Sequence, residues 1–92
     1  YTLSGSDRNG SVSGNDPEIT IASGDTINFN VNASGHPFYI QTSAGIGAVN
    51  LASGVSNNGT SSGGISLSPT STGTFYYQCS LHAGMYGTII VQ

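Results

Sequence analysis

Lysine and tryptophan are absent from this chain, while cysteine, methionine and arginine occur once each. One cation against four carboxylates gives a net charge of −3. That balance excludes nucleic acid as a partner, because phosphate binding depends on clustered Lys and Arg that release counterions. It disfavours an anionic membrane surface for the same reason. No apolar run approaches the roughly 20 residues that cross a bilayer, so no membrane insertion is expected. Tyr1 opens the chain without a basic and apolar leader, which is expected of a mature or trimmed product. A lone cysteine cannot close an internal disulfide, and in a secreted-type domain a free thiol is a liability unless something occupies it. No segment of useful length carries a helical repeat.

What is present is short and alternating. Glycine contributes 14 residues beside abundant Ser, Thr and Asn, yet the apolar residues fall in period-two runs between turn residues, as in an all-β domain and not a disordered tail. Residues 1–92 are expected to form one domain, since a second would be too small to hold a core. A chain of this mass exposes about 5,000 Å² when folded, against about 13,500 Å² unfolded. The sequons at Asn9, Asn32 and Asn58 are read as chance matches in so Asn- and Ser-rich a chain.

Strands are expected at Tyr1 to Ser4, Glu18 to Ala22, Thr26 to Asn32, His36 to Thr42, Gly64 to Ser68, Thr74 to Cys79 and Tyr86 to Gln92. The cleanest is Thr26-Ile-Asn-Phe-Asn-Val-Asn32, with Ile27, Phe29 and Val31 inward and three Asn to water. Gly5 to Gly10 reads as a turn-rich segment, and residues 43–64 as a loose stretch with a short buried segment at Ile46 to Leu51. Seven or eight antiparallel strands with Gly-rich connections favour a Greek-key β-sandwich.

The chemistry concentrates in Phe75-Tyr-Tyr-Gln-Cys-Ser-Leu-His-Ala-Gly-Met-Tyr-Gly87. Cys79, His82 and Met85 stand three residues apart at the end of an aromatic strand, and the remaining histidine, His36, opens an earlier one. Taken singly, a buried Cys is a small hydrophobe and a strand-end His a surface residue. Together, a thiolate, two imidazoles and a thioether form the His₂Cys set with a weak axial Met that suits copper in electron transfer.

At these residues the chain resembles the blue copper proteins, or cupredoxins. The distant His36 and the run Cys79-Ser-Leu-His82-Ala-Gly-Met85 carry the likeness, and the two-residue gap between His82 and Met85 is similar to the short loop of amicyanin-type members. The resemblance implies a cupredoxin-like sandwich, one copper ion cycling between Cu(I) and Cu(II), and the ligands His36, Cys79, His82 and Met85. It implies a soluble one-electron carrier and no enzyme, working outside the cytoplasm in a periplasm, thylakoid lumen or secreted setting. Redox partners are expected to dock on an apolar patch around His82 built from Leu81, Ala83, Gly84, Tyr86, Pro37 and Phe38. Many members carry Asn directly after the first ligand histidine. Pro37 stands there in this chain, with no N–H to offer the cysteine sulfur.

Two other readings of the same side chains stay open. One is copper storage or delivery, and the other is a small-molecule redox enzyme with a reachable copper. A binuclear copper centre needs a second Cys in the loop, and multicopper catalysis needs further histidines that the chain lacks.

Overall fold

Period-two patterning dictates extended chain, and the computed structural model, which describes residues 1–92, contains nine strands and no helix. They are β1 (Thr2–Asp7), β2 (Gly10–Asn15), β3 (Ile19–Ile21), β4 (Ile27–Asn32), β5 (Phe38–Gln41), β6 (Val55–Ser56), β7 (Ser62–Leu67), β8 (Gly73–Cys79) and β9 (Tyr86–Val91). The accessible surface is 4743 Å², close to what the mass alone predicts.

One sheet has the order β3-β9-β8-β5 and a second the order β4-β7-β6, while β1 and β2 form a separate hairpin. The chain changes sheet between β3 and β4, β4 and β5, β5 and β6, and β7 and β8. Two sheets with apolar inner faces are thereby threaded together, the all-β sandwich the sequence predicts.

Between the sheets lie Ile19, Ile21, Phe29, Phe38, Ile40, Ile65, Leu67, Tyr77, Ile89 and Val91, all buried, with Ala52 from the connection after β5. Phe38 and Tyr77 stack at a centroid distance of 5.5 Å with their planes 6° apart, and Phe29 tilts against Phe38 at 5.0 Å. Aromatic pairs in such geometry add to the energy of burying their area.

Several expectations need correction. There are nine strands instead of seven or eight, because β1 runs on to Asp7, the loose stretch contains the short β6, and residues 10–15 form β2. Gly10 and Gly14, with φ of 112° and 118°, let this Gly- and Ser-rich strand pair with β1 without any apolar alternation to announce it. The sheets are not wholly antiparallel, since β3 pairs with β9 in parallel. Thr20 is buried with its two Ile neighbours. Its N–H donates to the Asp7 carboxylate at 2.7 Å, and its carbonyl accepts from the Arg8 N–H at 3.0 Å. The segment expected to be buried at Ile46 to Leu51 is exposed, with Val49 75 % accessible.

Candidate metal centre

β8 delivers Cys79 at its last residue, on the inner face shared with Tyr77, and the thiol is fully buried. The ladder then continues past the strand, as the Cys79 N–H donates to the Met85 carbonyl at 2.9 Å. Within the loop the Met85 N–H donates to the His82 carbonyl at 3.1 Å, closing a four-residue turn over Ala83 and Gly84. His82 is therefore folded back over the cysteine that precedes it by three residues. Met85 is half-buried beside them, and β9 leaves the loop at Tyr86.

His36 arrives from the other side. It lies in the turn that precedes β5, two residues before that strand, and not on the strand itself. Gly35 takes a φ of 79°, and the His36 N–H donates to the Ala33 carbonyl at 2.8 Å. A glycine adopts that left-handed backbone without strain. The Tyr1 hydroxyl reaches the carbonyls of His36 at 2.9 Å and Pro37 at 2.7 Å, tying the ligand turn to the start of the chain. Burial, and then the neighbouring Cys79 charge, push the Tyr1 hydroxyl well above its ordinary pKa. It stays a neutral donor behind the site.

The three elements bring Cys79 Sγ to 3.3 Å from His82 Nδ1 and 3.8 Å from His36 Nδ1. One donor atom from each of His36, Cys79 and His82 lies within 4.8 Å of the others, and the two imidazole rings sit 4.9 Å apart. A divalent ion bonded at about 2.3 Å to sulfur and about 2.0 Å to nitrogen would span these S···N separations at angles of about 100° and 120°. The donor set is soft sulfur with borderline nitrogen, which copper favours over hard cations. Three of the four side chains expected from the sequence thus offer donor atoms to one ion. The fourth, Met85, has its backbone anchored to the other two loop residues.

Burial grades across the site. Cys79 is inaccessible, His36 is half-buried and His82 is exposed. Because His82 Nδ1 faces the sulfur, the opposite edge of its ring is the part that meets solvent. Around it Leu81 is 64 % accessible and Tyr86 40 %, whereas Phe38, expected in this rim, is only 3 % accessible and belongs to the core. The alternation that buries Ile40 buries Phe38 as well.

The residue that sequence reasoning passed over is Gln78. It is fully buried, with its amide nitrogen 2.9 Å from the carbonyls of both Cys79 and His82. An amide at an otherwise aromatic strand end, next to the one cysteine, was the available signal.

The whole arrangement is a soft-donor metal pocket sealed from below by the core and open at one imidazole edge. Searches of curated proteins and of solved structures give no significant match. A family model described as copper binding proteins, plastocyanin/azurin family, matches residues 2–92. The match runs through both histidines, the cysteine and the methionine and covers all nine strands, so the chain belongs to the plastocyanin/azurin family of copper binding proteins.

Proposed function

We propose that the 92 residues act as one domain carrying a mononuclear blue copper site, held by His36, Cys79, His82 and Met85, and pass single electrons between redox partners outside the cytoplasm. The observation that carries this reading is the convergence of Cys79 Sγ with His36 Nδ1 and His82 Nδ1 at 3.8 and 3.3 Å.

Copper in such a site supplies the Cu(I)/Cu(II) couple. The chain supplies the rest. Cys79 offers a thiolate shielded from water and oxidants by complete burial. His36 and His82 present Nδ1 atoms from two separately anchored segments, and Met85 gives a weak fourth donor. Donors fixed by a turn on one side and a closed loop on the other rearrange little, which favours fast electron exchange. The exposed edge of His82 is the electron port, and the uncharged surface of Leu81, Ala83, Gly84 and Tyr86 around it is the docking face. Family members are typically carriers and not enzymes, and nothing in the donor set calls for a catalytic role.

The test is to add Cu(II) to the metal-free protein and record visible and electron paramagnetic resonance spectra. An intense thiolate charge-transfer band in the red, lost in Cys79→Ser, is the expected result. Colourless, rapidly released Cu(I) would instead identify a storage or delivery protein. A spectrum that changes when small anions are added would point to a substrate-accessible enzyme site.

A further inference from the structure

Strand alternation sends Gln78 to the face of β8 opposite Cys79. On most half-exposed sheets that face meets water, yet here the side chain is inaccessible. Its Nε2 lies 2.9 Å from the Cys79 and His82 carbonyl oxygens and 3.4 Å from those of Ala83 and Met85. A primary amide has two N–H donors, so the two short contacts use both, while the longer ones crowd further carbonyls about the same positive end. The Oε1 atom accepts from the Gly45 N–H at 3.0 Å. Four acceptors at one end and a donor at the other fix which atom is nitrogen.

One side chain therefore touches the main chain of every metal-ligand residue in the loop. It also joins that loop to a second. The Gly45 carbonyl accepts from Gln41 Nε2 at 3.0 Å, and the Gly47 N–H donates to the Ser80 carbonyl at 3.0 Å. The 43–47 segment is thus pinned at both faces and braces residues 79–85 from outside.

We propose that Gln78 is the positioning residue of the copper loop, holding the Cys79 and His82 carbonyls so that thiolate and imidazole stand ready before the ion arrives. Loss of the amide removes the side-chain donor to the buried Cys79 carbonyl and leaves the His82 carbonyl with only the Met85 N–H, and the loop must then shift to find another partner. Partners of this kind, one bond removed from the ligands, orient them as effectively as direct packing does. The inference rests on the proposed ligand set for its copper readouts, and is independent of it in the metal-free protein.

Two substitutions separate the parts of the clamp. Gln78→Leu removes all its hydrogen bonds at similar volume. Gln78→Glu keeps the acceptor for Gly45 and removes both donors to the ligand loop. Each is expected to weaken Cu(II) binding about 10- to 100-fold and to alter the charge-transfer band and the electron paramagnetic resonance splitting, in protein whose near-ultraviolet circular dichroism matches the parent. Gln41→Leu is the control. It frees the far side of the 43–47 segment while the Gly45–Gln78 and Gly47–Ser80 hydrogen bonds that brace residues 79–85 stay in place, and should lower the melting temperature while leaving the spectra alone. Parent-like affinity and spectra in folded Gln78→Leu would overturn the proposal, as would equal spectral changes in Gln41→Leu. In the metal-free parent, the Gln78 side-chain NH₂ protons should exchange slowly by nuclear magnetic resonance. Fast exchange overturns the clamp, and this reading decides alone if the variants do not fold or the parent takes up no copper.

Discussion

Pro37 directly follows His36, one of the proposed ligands, and a proline there removes one candidate donor to the cysteine sulfur. The next backbone N–H is also committed elsewhere, since Phe38 donates to the Thr60 carbonyl at 3.0 Å. Cys79 Sγ lies within 4 Å of the two ring nitrogens and has the Tyr1 hydroxyl as a further polar neighbour. Neither backbone nitrogen of the Pro37–Phe38 step donates to the sulfur, which in the proposed copper site would leave more electron density on it, stabilise Cu(II) and hold the potential down. Restoring the N–H in Pro37→Ala should raise it. A net hydrogen-bond contribution of roughly 0.5–1.5 kcal/mol corresponds to about 20–65 mV for one electron. Voltammetry on both proteins decides the sign, and a drop would contradict the argument. At this scale the grouping of His36, Cys79 and His82 was legible in the sequence because such side chains are rare: one Cys and two His leave few ways to build a soft site. Gln78 and Gln41 were not legible, because a glutamine advertises neither burial nor a particular hydrogen-bond partner until the loop that covers it is in place.

Strands were legible where one face meets water. In β4 the Asn residues at 28, 30 and 32 are exposed and Phe29 is buried, as alternation requires. The signal failed where it has no content. β2 consists of Gly, Ser, Val and Asn, and its pairing with β1 is backbone-driven. The 46–51 segment failed in the opposite sense: its apolar residues suggested burial, but Gly45, just before it, is held by Gln41 Nε2 and Gln78 Oε1, the Gly47 N–H donates to the Ser80 carbonyl, and Ile46 and Val49 are left outside. The β8 and β9 pair shows what glycine does inside a strand. Gly87 sits directly opposite Tyr77, and a Cβ added there would collide with the Tyr77 ring and hydroxyl. That hydroxyl donates to the Pro17 carbonyl, and burial pushes its pKa well above the ordinary range. The ring therefore cannot swing outward cheaply. Gly87→Ala overpacks this contact at a cost of about 1–3 kcal/mol, and a chain of this size should lose at least about 4 °C in melting temperature. An unchanged thermal midpoint would mean that Tyr77 has room to yield, and that the glycine is incidental.

Across the whole molecule, charge and exposed apolar surface are segregated. All five charged side chains lie between Asp7 and Asp25, and most are already engaged: Arg8 pairs with Asp25 at 3.2 Å, Asp7 accepts from the Asn9 and Thr20 N–H groups, and Asp16 binds the Tyr1 amine. None of the carboxylates hydrogen-bonds to residues 79–86, the segment that holds the loop. The large apolar side chains left in solvent are Ile46, Val49, Leu51, Leu81 and Tyr86. Leu81 and Tyr86 flank the ligand loop, and Ile46 adjoins the Gly45 and Gly47 contacts that brace it. If the chain is the proposed carrier, encounter through the His82 edge should thus proceed by apolar contact, with little steering by long-range fields. Electron self-exchange between Cu(I) and Cu(II) copies tests this without a second protein. Raising the salt from about 10 mM to about 0.5 M shrinks the Debye length from roughly 30 Å to less than 5 Å. Steered encounters respond to such a change by tenfold or more. Here the rate, read from line broadening in mixtures of the two oxidation states, should change less than about threefold. A tenfold rise would show that the net charge of −3 reaches the docking face and sets the encounter rate, leaving the apolar surface a minor part.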